Sequence, residues 1–290
     1  MADLGRSVRR PAVAGAFYAA DPAALRAQLE GAYRHRLGPG RLPSIDGPEP
    51  KRFLRGLVVP HAGYAYSGPT AAHAYSALAA DGLPEVVVVI GPNHTGLGAP
   101  CSLSPEYYRT PLGELPIAAD VANDLVEGKG PRSCRFDRDA HLQEHSVEVQ
   151  VPFLQHLCGL LRSEVALVPI VLLAQDEGSA TQLGREVAAA LEGVDAVVIA
   201  STDFCHYLPK AEAIRRDRFA LEAIETLDVP GLYRAIAKHD ISMCGYGPTA
   251  AMLTATRARG AKQVERLHYS TSGDVVPMGD VVGYGALAVR

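Results

Sequence analysis

The sequence lacks several patterns by which common protein classes are recognised. No apolar run approaches the roughly 18 residues needed to cross a bilayer, and the first residues contain no apolar core of a signal peptide. A formal charge of −4 provides no basic field that would attract nucleic acid or an anionic membrane. We therefore expect a cytoplasmic protein that has neither nucleic acid nor a membrane as its partner.

Two further absences limit the kinds of site and activity that the sequence can support. The five cysteines are odd in number and form no CxxC pair, so neither a disulfide framework nor a zinc ribbon is predicted, and Cys101, Cys134 and Cys158 are interpreted as inert buried residues. No glycine-rich phosphate loop follows a predicted strand, and GxSxG is missing. Nucleotide hydrolysis and α/β-hydrolase chemistry therefore lack their motifs.

Short β-branched apolar runs alternate with helical patterns along most of the chain. This alternation is typical of an α/β fold with a central, mostly parallel sheet and helices on both faces, and nearly half of the residues are apolar. We predict one domain spanning residues 1–290. The predicted strands are 54–59, 85–90, 165–173, 195–200, 264–272 and 280–289. The predicted helices are 22–33, 70–78, 144–157, 181–191, 211–227 and 248–257, with a Pro/Gly-rich loop over 38–50.

A histidine follows three of the predicted strands within a few residues. His61 follows the first strand, His94 the second and His206 the fourth. Ligands in open α/β sheets bind beyond the carboxyl ends of the strands, and imidazole is a common metal ligand, so these histidines predict one shared site. Asp203 precedes His206 by three residues and is interpreted either as a hydrogen-bond acceptor for a histidine or as a ligand.

Cys244 is the cysteine best suited to join this site. Glycines and Pro248 follow it, which predicts a tight turn into a helix. A helix N-terminus lowers the pKa of a thiol, and the thiolate binds soft or borderline metals. Cys205, which lies beside His206, can be read either as a structural cysteine or as part of the site.

The segment HLQEHSVEVQ contains a second concentration of ionisable residues. His141 and His145 are four residues apart, as are Glu144 and Glu148, so each pair would share one face of a helix. The segment matches HxxEH, in which two histidines bind zinc and the glutamate is the general base of a protease. We prefer to interpret it as a wall of the strand-exit site, because a protease would leave the strand-exit histidines without a role.

Seven motifs occur in an order that resembles the Memo family, whose name refers to a mediator of ErbB2-driven cell motility. Prokaryotic members are named AmmeMemoRadiSam system protein B. The resemblance covers nearly the whole chain, from RRPAVAGAFYAAD to VVGYGALAV. The motifs between them are PHAGYAYSG, GPNHTG, TPLGELP, HLQEHSVEVQVPFLQ, STDFCHY, the CG of SMCGYGP, and YSTSGD.

The family fold is similar to that of the LigB type of class III extradiol dioxygenases, which open catechol rings at a non-haem iron. The resemblance implies that His61 and His94 are metal ligands and that His206 is an acid/base residue. In our leading interpretation, Asp203 handles protons together with His206. Cys244 stands where a carboxylate ligand is expected in the dioxygenases, so the resemblance does not extend to their complete ligand set.

Further expectations concern the pocket, the metal and the partners, and those about the metal and the partners follow from the resemblance. His145, Glu144 and Tyr64 are predicted to form the pocket wall. Iron or copper is the expected metal and zinc is a third candidate, since histidine and thiolate donors suit all of them. The leading interpretation is a dioxygenase-like oxidoreductase acting on a small molecule. The alternatives are an adaptor module that binds a peptide or protein in the same pocket, and the HxxEH protease; AMMECR-type and radical SAM proteins are candidate partners.

Overall fold

The computed structural model describes residues 7–45, 52–128 and 132–290, in which strands and helices alternate. The strands in these ranges are β1 (Val8–Arg9), β2 (Gly56–Val59), β3 (Val86–Pro92), β4 (Cys101–Leu103), β5 (Tyr107–Thr110), β6 (Gly113–Leu115), β7 (Arg135–Phe136), β8 (Ala166–Leu172), β9 (Ala196–Ser201), β10 (Leu208–Pro209), β11 (Val264–Thr271), β12 (Asp280–Val281) and β13 (Gly283–Val289). The helices are α1 (Pro22–Arg34), α2 (Tyr64–Asp81), α3 (Ala119–Glu127), α4 (Asp139–Leu142), α5 (Val151–Leu161), α6 (Glu177–Ala190), α7 (Lys210–Glu225), α8 (Val229–His239), α9 (Tyr246–Ala258) and α10 (Ser272–Val275).

The main sheet has eight strands in the order β11-β13-β2-β9-β3-β8-β4-β7. Its middle, from β2 through β9 and β3 to β8, is parallel. At one end β13 and β11 are antiparallel, and at the other β4 is antiparallel to β8. With helices on both faces, this sheet confirms the predicted α/β fold class.

The central strands are formed by β-branched residues that are buried on both sides. In β3 every residue from Val86 to Pro92 is buried, which is typical of a parallel strand covered by helices. α2 packs on β2, β11 and β13, whereas α9 packs on β2, β3 and β9. None of the helices in the described ranges has the length and apolar character needed to cross a membrane.

Most predicted elements are present, with shifted ends. Helix starts follow simple chemistry: Asp21 accepts a hydrogen bond from the Ala24 N–H, and Pro22 occupies the first turn of α1. The last predicted strand is split, because β12 pairs with β10 while β13 joins the main sheet. Of the predicted loop over 38–50, residues 46–50 lie outside the described part of the chain.

The predicted helix over 144–157 is wrong in its first half. Helix α4 ends at Leu142, a turn follows, and a 3-10 turn over Glu148–Gln150 leads into α5. The Glu144 carboxylate accepts local hydrogen bonds from the backbone N–H groups of His145 and Ser146, which hold these residues in a turn. The same carboxylate is bonded to His94 from another part of the chain, so the turn is also fixed by a tertiary contact.

The expectation that Cys101 and Cys134 are unpaired is also wrong. The structure joins them in a disulfide, with their Cα atoms 4.7 Å apart. Cys101 begins β4 and Cys134 directly precedes β7, so parallel pairing of these two strands brings the sulfur atoms together. A separation of 33 residues left no sequence spacing from which to recognise the pair.

A buried ion pair fixes the start of the chain to this region. The Arg9 guanidinium donates to Glu148 Oε2 at 2.7 Å, and also to the carbonyl oxygens of His141 and Glu144. Glu148 in turn accepts hydrogen bonds from the Tyr18 hydroxyl and from the N–H groups of Ala12 and Val13. Because the side chains of the pair are only 1% and 0% exposed, each charge depends on the other.

We predict that Arg9→Ala lowers the free energy of unfolding by about 3–5 kcal/mol, because it leaves the Glu148 carboxylate buried without its cation. Urea denaturation measures this change. The matched control is Arg34→Ala, which breaks a pair that is 56% and 35% exposed and should change stability by less than about 1 kcal/mol. Similar losses in the two variants would contradict the prediction.

Candidate metal centre

The loops that follow three neighbouring parallel strands meet at one edge of the main sheet. β2 lies beside β9 and β9 lies beside β3, so their carboxyl ends point in the same direction. His61 follows β2, His94 follows β3, and Asp203 and His206 follow β9. The topology therefore delivers the strand-exit residues to one place, as expected for a binding site in an open α/β sheet.

His61, His94 and His145 form a cluster that we call the histidine triad. One ring nitrogen of each lies within 4.8 Å of those of the other two. The rings of His94 and His145 stack with centroids 4.6 Å apart, and the His61 ring meets them edge-on at 5.2 and 5.4 Å. The structure thus brings His145, predicted as part of the wall, into the same group as the two proposed ligands.

The surroundings of His61 and His145 favour the neutral form of the imidazole ring. Burial, and then repulsion from His145 and His94 in their charged forms, lowers the pKa of His61 well below its usual range. Burial also lowers the pKa of His145 to about 4. Neutral imidazole is the form that ligates metals, so at neutral pH these two residues are already in a ligating state.

Glu144 holds His94 in a defined orientation. Burial alone would raise the pKa of Glu144, but the hydrogen bond and charge of His94 lower it to about 2, so the group is a carboxylate that can only accept hydrogen bonds. Its Oε1 lies 2.9 Å from His94 Nδ1, which must therefore carry the proton. The lone pair of a neutral His94 is then on Nε2.

Cys244 lies beside the triad but outside the group of three. Its Sγ is 3.2 Å from His61 Nε2 and accepts a hydrogen bond from the Asp203 N–H at 3.2 Å. The expected lowering of its pKa is wrong: burial, and then the charge of Asp203, raise the pKa of this thiol. Cys244 precedes α9 by two residues, and its enclosure outweighs the effect expected from the helix N-terminus.

Asp203 and His206 lie in the same loop after β9 but differ in burial. Asp203 is 3% exposed, burial raises its pKa to about 6, and its Oδ1 accepts the His61 backbone N–H at 2.8 Å. His206 is partly exposed, and its Nδ1 lies 2.8 Å from the Ser242 carbonyl oxygen. Because a carbonyl only accepts, His206 Nδ1 is the donor, and the neutral ring keeps its lone pair on Nε2.

Of the other residues proposed as wall, Tyr64 lies deeper than expected. Its side chain is buried, and its hydroxyl donates to the Val149 carbonyl oxygen at 2.5 Å. Its ring packs against Phe153 with centroids 5.0 Å apart. Tyr64 therefore contacts α5 and the 3-10 turn before it. Phe17, which the sequence did not single out, packs directly on His145 with centroids 4.7 Å apart.

His141 does not face His145, so the predicted sharing of one helical face is wrong. The Tyr108 hydroxyl lies 2.7 Å from His141 Nδ1, and the Ser102 carbonyl oxygen lies 3.1 Å from Nε2. Both ring nitrogens are therefore occupied by hydrogen bonds in a buried position. In addition, Glu144, which the protease pattern requires as a base, is bonded to His94.

The donors present fit a transition-metal ion. Three imidazoles converge and a thiol lies next to one of them, a set that suits iron, copper and zinc. Metal-binding histidines usually donate their other ring N–H to a carboxylate or another acceptor, as His94 does to Glu144. Together the fold and the site define an α/β protein with a candidate metal centre at the carboxyl edge of its sheet.

Comparison with known proteins identifies the family of the chain. The family model described as Memo-like protein matches residues 9–288. A MEMO1 family protein of Methanopyrus kandleri is 47% identical over 289 residues, covering 97% of this chain and 99% of its own. Another, from Methanothermobacter thermautotrophicus, is 45% identical over 285 residues, covering 97% of this chain and all of its own. The chain therefore belongs to the Memo-like family.

A solved structure shares the fold at much lower sequence identity. The crystal structure of an uncharacterized protein from Escherichia coli K12 superimposes with a TM-score of 0.50 at 15% identity. The match covers 81% of this chain and 99% of that protein. At this level of identity the likeness concerns the architecture alone.

We predict that the HxxEH segment confers no zinc-dependent peptidase activity, because His141 has no free ring nitrogen. The purified protein with added Zn²⁺ should leave casein and a peptide library uncleaved, while a zinc protease in the same buffer serves as the positive control. Metal-dependent cleavage that Glu144→Gln abolishes would contradict the prediction.

Proposed function

We propose that this protein binds one metal ion at the histidine triad and uses it for redox chemistry on a small molecule, with iron or copper as the metal. The observation that carries the proposal is the convergence of ring nitrogens from His61, His94 and His145 within 4.8 Å of one another. Burying an imidazole is costly unless the ring gains a partner, and His61 is only 2% exposed within this cluster. A shared cation supplies the missing interaction.

Each ligand would be held by a different part of the fold. His61 and His94 come from neighbouring strand exits, and His145 comes from the turn that Glu144 stabilises. Cys244 would approach from the loop before α9, with its sulfur next to His61 Nε2. A bound iron or copper ion would supply electron transfer and the activation of oxygen or substrate, whereas zinc would supply Lewis acidity.

His206 and Asp203 would handle protons beside the metal. His206 presents Nε2 as a free acceptor because its Nδ1 is bonded to the Ser242 carbonyl oxygen. Asp203 is a buried carboxyl group that accepts a hydrogen bond from the His61 backbone N–H, and its pKa, which burial raises to about 6, suits an exchangeable proton near neutral pH.

A cavity of about 260 Å³ borders Phe17, whose ring contacts the histidine triad at His145, and we propose that it receives a small substrate. It is lined by Phe17, which packs on His145, and by Tyr66, which is 39% exposed. Its walls also include Gly15, Gly63 and Gln28, so that an apolar body and a few polar groups would be recognised together.

We predict that His61→Ala, His94→Ala and His145→Ala each lose the bound metal that the wild type retains, because each removes one of three converging donors. Elemental analysis after purification without added metal, followed by optical and electron paramagnetic resonance spectroscopy, measures the content and the identity of the ion. The matched control is His73→Ala, because the His73 ring stacks on His268 and is not part of the histidine triad.

The wild type should hold one iron or copper ion per chain, and the control should hold the same. Metal content that is unchanged in all three triad variants would contradict the proposed centre. A wild type filled with zinc would contradict the redox part of the proposal while supporting the site.

We predict that His206→Ala keeps its metal but loses about 10²- to 10⁴-fold of the redox activity, since it removes a proton-transfer group and not a ligand. Metal stoichiometry and oxygen consumption, measured on the same preparations, separate these effects, with His94→Ala as the metal-free comparison. Equal metal loss in the two variants would make His206 a ligand, and full activity in His206→Ala would remove it from both roles.

A further inference from the structure

A chain of buried hydrogen bonds leads from Gln150 through Ser201, at the end of β9, to His61. Gln150, from the 3-10 turn before α5, donates through Nε2 to the Pro60 carbonyl oxygen at 3.0 Å and to Ser201 Oγ at 2.8 Å. Ser201 Oγ also lies 2.6 Å from the Ser146 carbonyl oxygen and 3.0 Å from His61 Nδ1. All these side chains are buried, so bulk water does not compete for the bonds.

The direction of the first bond is fixed by the Pro60 carbonyl. A carbonyl oxygen only accepts, so the side-chain atom of Gln150 that faces it must be the amide nitrogen. At the other end of the amide, Oε1 accepts from the Tyr75 hydroxyl at 2.8 Å. Reversing the amide would place two carbonyl oxygens against each other at Pro60, so Gln150 donates to Ser201.

The direction of the next bonds follows from the Ser146 carbonyl. Ser201 Oγ has one proton and two lone pairs. Its proton goes to the Ser146 carbonyl oxygen, which cannot donate, and one lone pair accepts from Gln150 Nε2. The remaining lone pair is the one that meets His61 Nδ1, and it can only accept a proton from that nitrogen.

We infer that Ser201 and Gln150 are positioning residues that hold His61 as the tautomer protonated on Nδ1, so that the lone pair of Nε2 is directed at the metal centre. This inference rests on the proposed function only for its consequence, and the tautomer itself follows from the hydrogen bonds. His61 Nε2 lies 3.2 Å from Cys244 Sγ. When no metal is bound, the Cys244 thiol can donate a hydrogen bond to the lone pair of this nitrogen.

The chain of hydrogen bonds through Gln150 and Ser201 gives His61 the same protonation pattern that Glu144 gives His94, but it uses no charged group. A carboxylate in place of the Ser201 hydroxyl would require its own desolvation, in addition to that of Asp203, and would change the net charge of the site. A neutral hydroxyl avoids both consequences while still selecting the tautomer. The two ligands therefore differ in donor strength, since a carboxylate acceptor makes an imidazole more basic than a hydroxyl does.

Nitrogen NMR of the metal-free protein tests the tautomer directly. In ¹⁵N-histidine-labelled, chelator-treated wild type, with His61 assigned by its absence in His61→Gln, we expect a protonated Nδ1 and an unprotonated Nε2. Ser201→Ala should introduce the Nε2-protonated form, and Ser201→Thr, which restores a hydroxyl, should return the wild-type pattern. A wild-type His61 that is protonated on Nε2 would overturn the inference.

Affinity for Co²⁺, measured by competition with a chelator, tests the consequence. Ser201→Ala should bind about 10- to 100-fold more weakly than wild type, the usual effect of losing such a supporting bond, and Ser201→Thr should recover most of the loss. The matched control is Ser270→Ala, which removes a buried hydroxyl bonded to Thr70 and should lower stability without changing either readout.

The two experiments separate the inference from the proposed function. A wild type that shows the expected tautomer but binds no Co²⁺, iron or copper would contradict the metal centre and leave the hydrogen-bond assignment supported. Loss of affinity in Ser270→Ala equal to that in Ser201→Ala would mean that general destabilisation causes the effect, and it would overturn the positioning role.

Discussion

The carboxylate of Glu144 is the interaction on which the candidate site depends. It accepts hydrogen bonds from the backbone and the ring of His94, and also from the backbone N–H groups of His145 and Ser146. One buried anion thereby stops a helix, forms the turn that carries His145 and orients His94. Because its own charge is compensated by donors and not by a cation, the arrangement is stable only while these segments stay together.

Close packing of the turn against the sheet completes this arrangement. The Ser146 hydroxyl donates to the Pro92 carbonyl oxygen at 2.8 Å, and a side chain at Gly91 would collide with Ser146. Behind the turn, Glu148 is bound to Arg9. The segment 144–148 thus contains His145 and contacts His94, the main sheet and β1. These contacts explain why it contains so many buried polar residues.

Much of this could be predicted from the sequence where local pattern decides the outcome. The apolar run at Val86–Ile90 indicated a central strand, and the position of His61 and His94 just beyond such runs indicated a shared site. The helix predicted from Glu144 failed because that residue bonds to groups about 50 positions away, which no helical periodicity records.

The supporting residues could not be predicted for a related reason. Ser201 directly follows the strand predicted over 195–200, and Gln150 lies inside the helix predicted over 144–157, so neither residue stood out. Their role depends on two backbone carbonyls, Pro60 and Ser146, that only the folded chain places beside them. Side chains that act on the backbone of another segment leave no spacing in the sequence.

The buried pair between Arg9 and Glu148 has a consequence for synthesis of the chain. The two residues are 139 positions apart, and the contact between Cys244 and His61 spans 183. During translation the Arg9 cation must stay hydrated until Glu148 has left the ribosome. Cys244, which lies beside His61, is synthesised later still. Neither contact can form until both of its segments have been synthesised, so the anchoring of the first strand and the packing of Cys244 beside His61 both wait for residues far along the chain.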